Sequence, residues 1–75
     1  MMNIDLTVDA KGLSCPMPIV KAKKGMDTLN EGQVMMLVTT DKGSVSDFPS
    51  WINRMKYELV KTEEANGEYR FFVKK

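Results

Sequence analysis

"QVMMLVTT", residues 33–40, is the stretch on which the fold turns. It is an almost unbroken apolar run with β-branched Val34, Val38, Thr39 and Thr40, as expected of a strand in the interior of a sheet. Upstream, Ile4, Leu6 and Val8 alternate with Asp5, Thr7 and Asp9, the pattern of a strand with one buried and one wet face, ending near Ala10 and Gly12. Between these strands, from Pro16 to Leu29, Ile19, Ala22, Met26 and Leu29 recur at helical spacing, with Lys21, Lys23, Lys24 and Asp27 on the other side. Pro16 suits the first helical position, where a missing N–H costs nothing. Gly25 weakens this helix by about 1 kcal/mol relative to alanine unless close packing on the sheet needs the room. Asn30 to Gly32 end it with turn chemistry.

Downstream, Asp41, Gly43 and Ser44 announce a second helix, with Val45, Phe48, Ile52 and Met55 expected on its inward face. Pro49 conflicts locally with that pattern and should bend the helix or delay its regular part. "YELVKTEE", Asn66-Gly67 and "EYRFFVKK" read as a hairpin. The expected order is therefore strand, helix, strand, helix, strand, strand. The fold class is α/β in the broad α+β sense: a βαβαββ two-layer sandwich, with right-handed crossovers placing both helices on one face of a mixed four-stranded sheet. Its other face is left open, with Leu37 or Met35, together with Phe72, exposed there according to register. With 75 residues, the chain reads as a single domain, residues 1–75.

Composition narrows the function classes. Eleven basic and ten acidic residues leave a net charge of +1, so no global field recruits nucleic acid or an anionic membrane. No basic segment leads into an apolar leader, and no apolar run approaches a membrane span, so the expected location is the cytoplasm. One cysteine and no histidine exclude an internal disulfide and make transition-metal ligation improbable; no metal or resident cofactor is expected.

That cysteine, Cys15, falls where the first strand hands over to the first helix, within "GLSCPMPIV", residues 12–20. The positive end of a helix favours a thiolate, which should lower the thiol pKa below its free value of about 8.5. If Cys15 is the N-cap, Pro16 and Pro18 have no N–H to offer, and Met17 is the first-turn donor able to reach sulfur. If Ser14 is the N-cap, that donor argument weakens. The prolines fix φ, stiffening the helix entry and holding the thiol outward. A lone cysteine is more commonly a small buried hydrophobe, and it is the position before Pro-x-Pro that favours reactivity. With no histidine or second cysteine, Cys15 has neither a partner base nor a resolving thiol. A sulfur loaded there as a persulfide persists until another molecule takes it, which fits a carrier.

Met17, Lys21, Lys24 and Thr28 form an outward stripe beginning beside the thiol, joined by Lys11. A solvated helix face explains it most simply; as a dock it would suit an acidic-rimmed partner. Trp51 and Phe48 read as core rather than a base-stacking platform, and Asp41 and Asp47 as residues serving the start of the second helix.

At these residues the chain resembles the TusA-like, or SirA-like, sulfur carriers. The matching signature is Asp9, Gly12, Leu13, Cys15, Pro16 and Pro18 in "DAKGLSCPMPIVKAKK", with a second block in "TTDKGSVSDFPSWINRMKYEL", residues 39–59. The resemblance implies a two-layer βαβαββ domain whose motif cysteine, Cys15 here, accepts sulfane sulfur as a persulfide and passes it on. It also implies a sulfur donor (a cysteine desulfurase, rhodanese or DsrE-type protein) and an acceptor in transfer-RNA thiolation, molybdenum-cofactor synthesis, sulfur oxidation or thiosulfate use. Sulfurtransferase half-reactions are implied, rather than a stand-alone enzyme. Lys11 stands where many relatives carry arginine, and Gly25 where alanine is commoner. Two other readings compete: a regulatory or RNA-binding module, since the arrangement also resembles the C-terminal domain of a bacterial translation initiation factor, and a thiol-redox switch at Cys15.

Overall fold

A computed structural model of the chain describes residues 3–14 and 16–75. Its elements follow the expected order: β1 (Leu6–Ala10), α1 (Met17–Asp27), β2 (Val34–Thr39), α2 (Ser44–Met55), β3 (Glu58–Ala65) and β4 (Glu68–Lys74). The sheet runs β1-β2-β4-β3, with β1 parallel to β2 and both other pairs antiparallel. The apolar run at residues 33–40 thus becomes one of the two interior strands.

Register settles which side of each strand is buried. Leu6 pairs with Met35, Val8 with Leu37 and Ala10 with Thr39; on the other side, Val73 opposes Met35 and Phe71 opposes Leu37. These residues share one face, and Ala22, Met26 and Leu29 of the α1 segment and Phe48 and Ile52 of α2 close over it as a continuous core. Leu37 and Met35 are therefore fully buried beneath the helices, contrary to the expectation that one of them is exposed. Alternation instead sends Val34, Met36 and Val38 to the opposite face along with Phe72. Even there, Phe72 and Val38 are only 9% and 7% exposed. Lys61 Nζ lies over the Phe72 ring at 5.9 Å, on the face that no helix covers.

The two helices meet the sheet differently. Gly25 of α1 lies so close to it that a Cβ there would stand 2.9 Å from Val8 Cγ2, 3.0 Å from Leu6 Cδ2 and 3.1 Å from Met35 Sδ. The helix accepts a poor former at this point because the sheet leaves no room for a better one. α2 packs through the large Phe48 ring, which stacks on Trp51 at 5.6 Å and tilts against Phe71 at 4.9 Å. Val45 and Met55 do not join this face: they are 43% and 38% exposed, and buried Ser44 fills the first-turn position instead. They lie in the first turn and at the last residue of α2, where the helix reaches its ends.

Pro49 does not break α2, which continues through it. The entry is tightened instead: Ser44, Val45 and Ser46 donate their amides to the carbonyls of Asp41, Lys42 and Gly43, each three residues back, before Asp47 makes the first four-residue bond to Gly43. Asn66 and Gly67 both take positive φ, +53° and +80°, as a two-residue turn between twisted antiparallel strands requires.

Candidate functional site

The β1–α1 junction is built from short-range bonds around the motif residues. At the end of β1, Asp9 turns its carboxylate onto the Lys11 amide at 3.0 Å. Gly12 then takes φ +79°, a conformation glycine adopts without steric cost, and its amide donates to Thr40 Oγ1 at 2.9 Å. The Leu13 amide closes back on the Ala10 carbonyl at 3.3 Å while its side chain packs against the core. From α1, Lys21 Nζ reaches the Asp9 carbonyl at 3.3 Å, so helix and strand end are joined directly.

Cys15 lies outside the described residues. The residues around it nonetheless correct two expectations. The N-cap of α1 is Pro16, not Ser14 or Cys15, and it makes no side-chain capping bond. Pro16 adopts φ −95° and ψ 12°, outside the helical basin, so the helix begins one residue later than its fixed ring suggested. The Met17 amide donates to the Ser14 carbonyl at 3.0 Å, so the first-turn N–H assigned to the sulfur is already engaged. The prolines have different duties: Pro16 is exposed at the helix mouth, whereas Pro18 is fully buried and anchors the first turn in the core.

The family model for Sulfurtransferase TusA matches residues 6–75 of this chain. The chain belongs to the TusA family of sulfur carriers. The sulfur carrier protein TusA of Allochromatium vinosum is 40% identical over 75 residues, which are 100% of this chain and 99% of that one. YrkF of Bacillus subtilis is 44% identical over 75 residues, and the chain spans 40% of that longer protein. The solved structure of a SirA-like protein from Desulfitobacterium hafniense superimposes with a TM-score of 0.79 at 25% identity, covering 92% of this chain and 95% of that one. As a TusA-family sulfur carrier, the protein works between one that supplies sulfur and one that takes it. No helix among the described residues is long and apolar enough to cross a membrane.

In this TusA-family chain the outward stripe forms as expected. Met17 is 45% exposed, and Lys21, Lys24 and Thr28 are exposed along the same helix, with Lys11 exposed at the loop before it. Lys23, on the neighbouring row, is paired with Asp27 at 3.2 Å. Trp51 belongs to the core periphery, stacked on Phe48 and edge-on to Tyr57 at 5.9 Å. Asp41 serves the α2 entry: its carboxylate accepts from the buried Ser44 hydroxyl at 3.2 Å. Asp47 sits in the first turn of α2.

Thr40 is the site residue that sequence reasoning passed over. It lies 28 positions from Gly12, its partner, and appears in the chain only as the polar end of an apolar run. No local spacing signals such a bond; only the parallel pairing of β1 with β2, which sets Ala10 beside Thr39, brings the two strand ends together.

Proposed function

We propose that Cys15 carries sulfane sulfur as a persulfide, loaded from a donor protein and delivered to an acceptor. The reading is carried by one observation: the residues matched by the sulfur-carrier family include a cysteine, and it is the only one in the chain. In the loading step the Cys15 thiolate attacks the outer sulfur of a donor persulfide, R–S–SH. The Cys15–sulfur bond forms, the donor S–S bond breaks, and the donor leaves as a thiolate, with no net oxidation or reduction. Delivery is the same exchange in reverse order, an acceptor nucleophile taking the outer sulfur and Cys15 returning to thiolate.

Support for the thiolate comes from chain position, directly before the N-cap of α1 and thus at the positive end of that helix. Asp9, Gly12, Pro16 and Pro18 serve as the frame of the motif. Lys11, Met17, Lys21 and Lys24 serve as a docking face for a donor or acceptor with an acidic rim. No resident cofactor takes part, and the relay operates in the cytoplasm. Donor candidates are a cysteine desulfurase, a rhodanese or a DsrE-type protein; delivery toward transfer-RNA thiolation, molybdenum-cofactor synthesis or sulfur and thiosulfate metabolism would follow from the acceptor.

The test is intact-protein mass spectrometry without reductant, after incubation with a desulfurase plus cysteine and separately with a rhodanese plus thiosulfate. The wild type should gain the mass of one sulfur atom and lose it on adding reductant. Cys15→Ser should fold and gain nothing, and the double variant Lys21→Glu/Lys24→Glu should load more slowly at low salt. Sulfur uptake by Cys15→Ser would end the proposal, and unchanged loading of the charge-reversed variant would remove the docking face.

A further inference from the structure

The segment between β1 and α1 is tied to itself at both ends. Asp9 caps the Lys11 amide and is joined through its carbonyl to Lys21 of α1, while the Ser14 carbonyl holds the Met17 amide. Between those ends stands Gly12, at positive φ, with nothing within 4 Å of the place a Cβ would occupy. No packing of its own locates Gly12; the turn around it closes through the Leu13 amide on the Ala10 carbonyl at 3.3 Å. Its own amide is held by Thr40 Oγ1 at 2.9 Å, a bond that arrives from the end of the neighbouring strand rather than from the β1–α1 unit.

That bond is exposed to solvent, where a hydrogen bond adds little to overall stability because water competes for both partners. Its mechanical effect is larger than its energetic one. It ties the middle of a segment, three residues ahead of Cys15, to the rigid end of an interior strand whose preceding residue, Thr39, is fully buried. The neighbouring Thr39 hydroxyl has a different partner, the Asp41 amide at 3.1 Å. The two adjacent threonines thus divide the work: Thr39 shapes the β2–α2 connection, and Thr40 reaches across to the β1–α1 connection.

We infer that Thr40 is a positioning residue for sulfur transfer, its hydroxyl setting the loop that presents Cys15 to donor and acceptor. The inference rests on Cys15 being the sulfur-bearing residue. In transfer between two proteins the reacting sulfurs must be brought into line, and a loop free to wander at Gly12 spends fewer encounters in the productive arrangement. The loss appears in the rate of the bound complex, not in the strength of docking, because the exposed stripe on α1 is untouched.

The experiment compares Thr40→Val, which keeps the shape and removes the hydroxyl, with Thr40→Ser, which keeps the hydroxyl. Sulfur loading is followed from a cysteine desulfurase supplied with cysteine, at varied desulfurase concentration, and iodoacetamide alkylation of the single cysteine is followed against pH. Thr40→Val should lower the maximal loading rate by about two- to threefold, the low end of the worth of one hydrogen bond, with the half-saturating concentration unchanged. Its alkylation midpoint should move up toward that of an unstructured cysteine. Thr40→Ser should match the wild type in both. A Thr40→Val protein identical to wild type in both readouts, or a Thr40→Ser protein as impaired as Thr40→Val, overturns the inference. Should the wild type take up no sulfur while the alkylation profiles still separate as described, the carrier reading fails and the placement of the loop by Thr40 stands.

Discussion

The chain builds two strand–helix units in succession, β1–α1 and β2–α2, on the same face of one sheet, and they are held in opposite ways. The β2–α2 connection closes on itself. Thr39 takes the Asp41 amide, Asp41 takes the Ser44 hydroxyl, and three tightly wound amide bonds lead into the helix. The β1–α1 connection is longer, passes through a positive-φ glycine, and borrows a hydroxyl from the other unit, while neither helix has a side-chain bond at its cap. The helices repeat the contrast: α1 settles through a glycine pressed on Val8, Leu6 and Met35, α2 through an aromatic ring. The β2–α2 connection carries no thiol, and the β1–α1 connection carries Cys15. In this chain, the reactive segment is tied to itself by short-range bonds and, at its middle, to the other unit.

A break in this comparison at the helix–sheet contact should come from Gly25→Ala. Overpacking of a tight contact costs roughly 1–3 kcal/mol, against which the better helix propensity of alanine returns at most about 1 kcal/mol. Urea denaturation should therefore show a less stable protein; a gain in stability would mean that the Val8, Leu6 and Met35 side chains give way at little cost.

A finer test sets Asp41→Ala beside Asp9→Ala. Removing the Asp41 carboxylate takes a partner from the buried Ser44 hydroxyl and should lower stability by about 1–2 kcal/mol. Removing the Asp9 carboxylate frees an exposed amide that water can satisfy, so stability should change by less than about 0.5 kcal/mol. Chemical denaturation separates the two; equal losses would erase the distinction between the connections.

The smallest effect lies outside both units, on β3, and serves as their control. The hydrogen bond from Lys61, at 2.8 Å, holds the Glu63 carboxyl below its ordinary value, against desolvation and with the help of the charges of Lys61 and Arg70. Because the folded-state pKa is the lower one, this contribution is present above the ordinary carboxylate pKa and fades as pH falls through the folded value. Thermal melts of Glu63→Gln and wild type should differ slightly at neutral pH and converge in acid. A difference that grows on acidification would contradict the sign.

Much of this architecture was legible in local sequence pattern. The alternation of Ile4 to Asp9, the apolar run of β2 and the Asn66-Gly67 turn each report a local backbone preference, and local preferences survive in a sequence. Gly25 was legible as a question whose answer needed the sheet. What escaped was set at a distance or at an edge. Met35 and Leu37 belong to the covered face because of a register that depends on β1 and β4 together, and in a run apolar on both sides alternation gives no hint. Val45 and Met55 follow the helical period of α2 yet sit at its two ends. At the site, the motif around Cys15 was plain, whereas the cap at Pro16, the engaged Met17 amide and the hydroxyl of Thr40 follow from backbone angles and a long-range contact that no spacing encodes.

Lys75 supplies a last consequence. Its ammonium group donates to the carbonyls of Met26 and Leu29, and its backbone pairs with Gly32 and Gln33. The far end of α1 is thereby completed by a residue almost fifty positions downstream, just past β4. On a ribosome, the helix beside the motif cysteine cannot acquire that closure until synthesis has passed the hairpin. Once made, the helix end and the end of the interior strand β4 should open together in hydrogen exchange, so that fraying at Lys75 is felt as loosening at the far end of α1.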